Sequence, residues 1–240
     1  MTRLSTSRLL ALTFLALCLV LLWDASGLDL PFARLAGTPH GFPWRDRALF
    51  VLFMHEGPRF LSWIFVAGLF AAIRWPVGVF RRLDMAERAQ LAVTVLASVI
   101  AISLVKSASA TSCPWDLAEF GGVARHVSHW AWGVADGGQG RCFPAGHASA
   151  AFAYVGGWFV LRRHVPGVAR VWLAIAILAG LALGLGQQWR GAHYMSHTLW
   201  TAWICWFVGL AIDLVCQAIR QMRQMRQRRA AVPAAASFGR

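Results

Sequence analysis

Residues 187–201 read Gln-Gln-Trp-Arg-Gly-Ala-His-Tyr-Met-Ser-His-Thr-Leu-Trp-Thr, and they separate two long apolar runs of the chain. Two of these residues, His193 and His197, are four positions apart. On a helix they would share one face, where one ring can hydrogen-bond the other. The stretch therefore predicts a polar site at the junction of two apolar segments.

Two other polar stretches interrupt apolar sequence in the same way. Residues 106–117 read Lys-Ser-Ala-Ser-Ala-Thr-Ser-Cys-Pro-Trp-Asp-Leu, and residues 140–149 read Gly-Arg-Cys-Phe-Pro-Ala-Gly-His-Ala-Ser. In chain order, 106–117, 140–149 and 187–201 are called the first, second and third polar segments. The rest of the chain is predicted to be a scaffold that brings these three segments together.

The composition is that of a membrane protein. Hydrophobic residues make up 58% of the 240 residues and charged residues only 14%, which argues against a soluble domain. The formal net charge of +13 does not indicate a nucleic-acid partner, because the basic residues are scattered between apolar runs. The sequence therefore predicts an all-α, polytopic membrane protein.

Apolar segments of spanning or near-spanning length predict a bundle of six transmembrane helices, at residues 9–23, 60–75, 91–105, 148–161, 171–186 and 198–219. The polar residues 55–58 are interpreted as a break before the second span. A cleaved signal peptide is the alternative for the first span, because Arg3 and Arg8 form a basic N-terminal region. The predicted units are N-terminal helices at 1–90, a core at 91–219 and a basic tail at 220–240.

The distribution of arginine predicts the orientation of the bundle. Basic residues concentrate at the N-terminus, in the connectors at 74–88 and 162–170, and in the tail. Cytoplasmic segments carry such an excess, so both termini are predicted to be cytoplasmic and the tail to contact anionic membrane lipids. Successive spans cross the membrane in opposite directions, so the connectors alternate between its two sides. The three polar segments are then predicted to lie on the periplasmic face of a bacterial inner membrane.

The cysteines fit this orientation. Cys113 and Cys142 lie in the first and second polar segments, on the face where oxidation is permitted. We expect a disulfide between them, and two free thiols are the alternative. A pair of metal-binding cysteines is disfavoured because the chain has no CxxC spacing.

The two histidines of the third segment suit nucleophilic catalysis. A nucleophilic imidazole needs an acceptor at its second nitrogen, and His197 is expected to provide it for His193. A metal or haem site that also uses His126 or His129 is the alternative.

The other two segments contain groups suited to an anionic substrate. His147 follows Pro-Ala-Gly at the start of a predicted helix, a position that favours anions, and it could act as a general acid. Lys106 is a point cation suited to phosphate oxygens. The alternatives are a turn residue for His147 and a lysine at the membrane boundary for Lys106.

Together the segments resemble the three-part signature of the type 2 phosphatidic acid phosphatase superfamily, which is Lys-x6-Arg-Pro, Pro-Ser-Gly-His and Ser-Arg-x5-His-x3-Asp. Here Lys106 is followed after six residues by Cys113 and a proline, residues 144–147 read Pro-Ala-Gly-His, and the third element aligns on His193. The resemblance covers roughly residues 91–210.

The resemblance implies a six-helix membrane phosphatase that requires no metal or cofactor. It implies that His193 forms a phosphohistidine, that His147 protonates the leaving group and that Lys106 holds the phosphate. The implied substrate is a lipid phosphate, such as phosphatidic acid, phosphatidylglycerol phosphate, undecaprenyl diphosphate or lipid A phosphate. The alternatives are a lipid phosphotransferase with the same phosphohistidine and a non-catalytic metal- or haem-binding membrane protein.

The chain departs from the family pattern at four positions. Two arginines, a serine and an aspartate of that pattern are replaced by Cys113, Gln187, Ala145 and His197, respectively. Phosphoryl transfer spreads negative charge over three oxygens, which need cationic donors. The lost arginines therefore leave a deficit of positive charge.

Nearby arginines are expected to compensate for this deficit. Arg190 and Arg141 lie within a few residues of the two lost positions, and Arg125 is a weaker candidate. The motifs Cys-Pro-Trp-Asp-Leu and Gly-Ala-His-x-x-Ser-His are similar to those of a divergent bacterial branch of the family, which favours a working variant over an inactive one.

Overall fold

The computed structural model describes residues 5–231, with side chains described for residues 5–228. In this part of the chain there are nine α-helices, and the β pairing is limited to two isolated bridges. The predicted all-α class is confirmed. Arg3 and residues 232–240 of the predicted basic tail lie outside the described residues.

The helices follow one another with short connections. They are α1 (Thr6–Ser26), α2 (Asp29–Arg34), α3 (Ala48–Val51), α4 (Gly57–Arg74), α5 (Met85–Ala108), α6 (Ser149–Phe152), α7 (Gly157–Leu161), α8 (Pro166–Trp189) and α9 (Met195–Ala231). A π-helical turn, Leu52–Glu56, joins α3 to α4, and a 3-10 turn, Ala153–Gly156, joins α6 to α7. Each of these pairs therefore runs on as one helix.

Five helices are long and apolar enough to cross a membrane, so the protein is a multi-pass membrane protein. They are Thr6–Ser26, Ala48–Arg82, Met85–Ala108, Pro166–Trp189 and Met195–Arg228. The predicted fourth span corresponds to the shorter apolar helix Ser149–Leu161. At 1.5 Å per residue that helix is roughly 20 Å long, against about 30 Å for a hydrocarbon core. The predicted count of six spans is therefore not confirmed.

The short helix Ser149–Leu161 is the centre of the bundle. Most of its side chains are buried, including that of Phe159, and it packs against α5, α8 and α9. A Cβ added at Gly209 of α9 would lie 2.9 Å from the Cα of Gly156, so glycines allow these backbones to approach closely. Because protein surrounds this helix, its backbone is not presented to lipid.

The predicted break at residues 55–58 is not a break. The π turn carries the chain from α3 into α4, where Pro58 occupies the first turn, a position that tolerates the missing N–H of proline. Such turns insert an extra residue into a helix and are frequent at functional sites. The second apolar helix therefore starts at Ala48, well before the predicted residue 60.

A buried cluster of charged side chains lies at the end of the bundle opposite the polar segments. Asp213 of α9 is fully buried and is bonded to side chains from three parts of the chain, Gln90, Arg162, Arg163 and Gln217. Glu87 of α5 binds Arg220 and His164. Glu87 and Lys106 are separated by about 29 Å along α5 at 1.5 Å per residue. The arginine-rich end and the polar segments are thus about one hydrocarbon core apart, and the orientation in a membrane stays a prediction.

Candidate active site

Backbone hydrogen bonds bring the three polar segments together. The N–H of Trp115 in the first segment donates to the carbonyl of Gly191 in the third at 3.0 Å. The N–H of Ala145 in the second donates to the carbonyl of His197 at 3.2 Å. The segments therefore form one polar region where α5 and α8 end and α6 and α9 begin.

The start of α9 is fixed by a residue from the N-terminal part of the chain. Asp29 accepts hydrogen bonds from the N–H and the hydroxyl of Ser196. A carboxylate at a helix N-terminus satisfies N–H groups that have no partner within the helix. This contact holds the third segment against α2.

Cys113 and Cys142 form a disulfide that spans 29 residues and ties the first segment to the second. The sulfur of Cys142 lies 3.6 Å from Nδ1 of His193. Because a disulfide sulfur has no proton, it can only accept, weakly, from an Nδ1–H group. The contact therefore favours the tautomer of His193 in which Nε2 carries the free lone pair.

Reduction of the Cys113–Cys142 disulfide is expected to destabilise the protein. A crosslink of this loop length restrains the unfolded chain and typically contributes about 2–4 kcal/mol. We expect a reductant to lower the melting temperature of the detergent-solubilised protein. The double variant Cys113→Ser/Cys142→Ser should show the lower melting temperature with and without reductant. Equal melting temperatures in all four samples would contradict a structural disulfide.

Lys106 and His147 line one cavity of about 380 Å³. The stem of Lys106 lies over Gly146, where an added Cβ would be 3.5 Å from the lysine Cδ. The other polar side chains of the lining are those of Arg59, Ser62, Ser103 and Ser149. The apolar part of the lining comes from α4, α5 and α6, and it consists of Trp63, Val66, Val99, Ile102 and Ala150.

His147 is the link between this cavity and the third segment. The centroid of its ring is 6.4 Å from that of His193 and 4.0 Å from that of His55. Its Nδ1 is buried and has no hydrogen-bond partner among the described residues. His193 itself does not line the cavity. Seen from the cavity, it lies behind the ring of His147.

The surroundings of His147 are strongly positive. Its pKa is lowered to about 3 mainly by burial, and the nearby groups His55, Lys106, Arg190 and Arg59 add to the shift in that order. Like charges disfavour protonation of an imidazole, so the ring is neutral in the free protein. The same field attracts an anion.

His193 is 2% exposed and lies in the turn before α9. Burial holds the pKa of its imidazole well below the usual value, and Lys106, His197 and His147 add to the shift. A neutral imidazole keeps a free lone pair, which a nucleophile needs.

The predicted hydrogen bond between His193 and His197 is not present. Because α9 begins only at Met195, His193 precedes the helix and the two rings do not share a helical face. Their centroids are 5.7 Å apart, and neither ring nitrogen of His197 has a partner in the part of the chain that the structure describes. The sulfur of Cys142 occupies the place predicted for His197, beside Nδ1 of His193.

Arg190 lies beside Gln187, which stands where the family has arginine. Its Nη1 donates to Oε1 of Gln187 at 3.1 Å, and its Nε donates to the carbonyl of Arg45 at 2.9 Å. Positive charge is therefore present next to the lost arginine position, and a phosphate-binding role for Arg190 stays a prediction.

Arg141 and Arg125 do not line the cavity that contains Lys106 and His147. Arg141 has a φ of 57°, and the N–H at this turn donates to the carbonyl of Ser109. Both arginine side chains are exposed, and neither makes a side-chain hydrogen bond within the described residues. At this left-handed turn the side chain of Arg141 is exposed, so a phosphate-binding role for it stays a prediction.

His55 and Arg59 were not among the predicted site residues. Nδ1 of His55 is bonded to Oε1 of Glu56 at 2.7 Å, and Arg59 is bonded to Oε2 of the same carboxylate at 3.1 Å. The signal for them in the sequence is the polar interruption His-Glu-Gly-Pro in an apolar run, which by composition alone predicts a helix break.

The alternative of a paired-histidine metal site does not fit this geometry. Among the described residues, the one group of three potential ligand atoms within 4.8 Å of each other consists of Cys113, Cys142 and His193. Two of these atoms are disulfide sulfurs, which are not thiolate ligands. The group leaves out the other three histidines considered, which are His197, His126 and His129.

Comparison with known families identifies a superfamily that includes this chain. A sequence model of the PAP2 superfamily matches residues 88–221, which is more than half of the chain and includes the three polar segments. Comparisons with curated proteins and with solved structures find no match. The matched span covers the polar region described above, the helices α6 to α8 and most of α5 and α9, and the chain therefore belongs to the PAP2 superfamily, whose members are phosphatases.

Proposed function

We propose that the protein is a membrane phosphatase that hydrolyses the phosphate monoester or diphosphate of a lipid through a phosphohistidine on His193. The observation that carries this proposal is the meeting of a buried, neutral His193 with His147 and Lys106 beside a cavity between membrane-spanning helices. Family membership supports the reaction class.

In the proposed reaction, His193 attacks phosphorus and the bond from phosphorus to the leaving oxygen breaks. His147 donates a proton to that oxygen, while Lys106 and Arg190 balance the charge on the phosphoryl oxygens. Water then attacks the phosphohistidine, His147 takes up its proton, and inorganic phosphate leaves with His193 restored.

Binding of the substrate accounts for the protonation of His147. In the free protein its pKa of about 3 leaves the imidazole neutral. A phosphate dianion beside the ring opposes the field of the surrounding cations and raises this pKa. The general acid is therefore expected to form only when the substrate is present.

Apolar surfaces next to the cavity support a lipid substrate. A second groove of about 370 Å³ lies between α4 and α8, and it shares Ser62 and Ala150 with the first cavity. Its walls include the apolar side chains of Leu61, Phe65, Ile175 and Leu183. An acyl or prenyl chain in this groove would let the phosphate reach Lys106 and His147.

The distribution of charge supports a location in a bacterial inner membrane with the site on the periplasmic face. The arginine-rich termini and connectors favour the cytoplasm. The cluster of Glu87, Asp213 and their arginines lies at the end of the bundle opposite the polar region.

Phosphate release from four lipids in detergent micelles tests the proposed function. The lipids are phosphatidic acid, phosphatidylglycerol phosphate, undecaprenyl diphosphate and lipid A phosphate, each assayed in the presence of a chelator. We expect release from at least one lipid. Release that needs an added lipid acceptor would instead indicate phosphotransfer. No release from any lipid, together with a haem absorption band or stoichiometric bound metal, would contradict the proposal.

A further inference from the structure

The proposed phosphate site is short of positive charge at both family positions. Cys113 is in a disulfide and Gln187 is neutral. The motif positions therefore supply one cation, Lys106, and Arg190 adds a second from outside the motif. Three phosphoryl oxygens that share negative charge are better satisfied by more donors than these.

Gln187 makes a structural contact between two helices of this chain. Its Nε2 donates to the carbonyl of Met54 in the π turn. A Cβ at the neighbouring Gly186 would lie 2.9 Å from the Met54 sulfur, so the end of α8 and the π turn are in close contact. The residue that replaces the family arginine thus fastens the α3–α4 helix to the polar region.

Arg59 follows the π turn by one helical turn and reaches the same cavity as Lys106 and His147. It is also among the positive groups that lower the pKa of His147. Its side chain is 60% exposed, and its partner Glu56 is 49% exposed. Arg59 is therefore an accessible cation at the wall of the proposed phosphate site.

We infer that Arg59 is a phosphate-binding residue and that Glu56 is its partner when no substrate is bound. The inference rests on the proposed function and adds a binding residue from outside the region that matches the family. A guanidinium can bind phosphate oxygens through two parallel hydrogen bonds. An exposed ion pair contributes little to stability, so a phosphate dianion can replace Glu56 readily.

Binding of inorganic phosphate to a catalytically blocked protein tests this inference directly. The full-length His193→Ala variant is titrated with phosphate, and tryptophan fluorescence is followed because Trp63 lines the cavity. Adding Arg59→Gln is expected to raise the Kd at least tenfold, and Arg59→Lys should raise it less. Adding Glu56→Gln should lower the Kd at least threefold, because the competing carboxylate is lost.

Arg74→Gln provides the matched control. Arg74 is an exposed arginine at the other end of α4, and its replacement should leave the Kd within twofold. The inference is overturned if Arg59→Gln also leaves the Kd within twofold, or if Glu56→Gln weakens phosphate binding. The Glu56→Gln result stands even if the Arg59 variants fail to fold.

Activity on the lipid panel separates this inference from the proposed function. If the wild-type protein releases phosphate from a lipid but Arg59→Gln leaves the Kd for inorganic phosphate unchanged, the inference alone fails. If no lipid is hydrolysed but phosphate binding depends on Arg59, the proposed function fails and the anion site stands. In an active enzyme, Arg59→Gln is expected to raise KM at least tenfold with a smaller change in kcat.

Discussion

Replacing His193 with alanine is expected to lower kcat for phosphate release by at least about 10⁴-fold, the scale seen when a covalent nucleophile is removed. The ring is neutral and almost completely buried, and the proposed reaction has no second group that can form the covalent intermediate. Phosphate-release assays over a range of lipid concentrations measure the effect.

His40→Ala is the control for the His193 variant. His40 is exposed and remote in sequence from the polar segments, so its replacement should leave kcat and KM unchanged. Both variants should remain folded, with a single cooperative melting transition. If folded His193→Ala protein retained more than about a tenth of the wild-type kcat, His193 would not be the nucleophile.

Replacing His147 with asparagine is expected to lower kcat by about 10²–10⁴-fold for a lipid phosphate, because a positioned general acid contributes this much. A phenyl phosphate with a nitro substituent has a leaving group that needs no proton, so the loss of kcat/KM with that substrate should be much smaller. The ratio kcat/KM reports on formation of the phosphohistidine and not on its hydrolysis, so its comparison for the two substrates measures the contribution of proton donation.

The direction in which kcat changes with pH tests whether His147 acts as an acid. A general acid must be protonated, so kcat should fall as pH rises through the pKa of His147 in the substrate complex. That pKa is higher than the value of about 3 in the free protein, because bound phosphate favours the imidazolium. His147→Asn should remove this decline. Equal losses of kcat/KM with both substrates would mean that His147 is not the general acid for the leaving group.

The meeting of the three polar segments could be predicted because each one interrupts apolar sequence. Polar residues at the ends of spanning helices gather at the membrane surface. The order of the motifs then indicates which side chains meet, and Lys106 and His147 do line one cavity. The position of Arg190 followed from the same reasoning, because it is three residues from Gln187 and near the end of α8.

The geometry around His193 could not be predicted from the spacing of four. That spacing gives a shared face only if both residues lie in the helix. Gly191 has a φ of 75°, and a Cβ there would lie 2.4 Å from the ring of Phe42. This turn depends on a contact with a distant part of the chain, so the local sequence does not show that the helix starts after His193.

The π turn was missed for a similar reason. His-Glu-Gly-Pro has the composition of a helix break, and locally nothing indicates otherwise. The turn is in contact with Gln187 and Gly186, which are far away in sequence. The contribution of His55 and Arg59 to the site is therefore a property of the tertiary structure.

The most direct test of the proposed mechanism is detection of the phosphorylated intermediate. The protein is mixed with the lipid substrate and quenched in alkali, where phosphohistidine persists, and its peptides are sequenced by mass spectrometry. The mechanism predicts phosphate on His193, which is lost in acid and absent from the His193→Ala variant. Rapid phosphate release with no phosphate on His193, or with phosphate on another histidine, would contradict it.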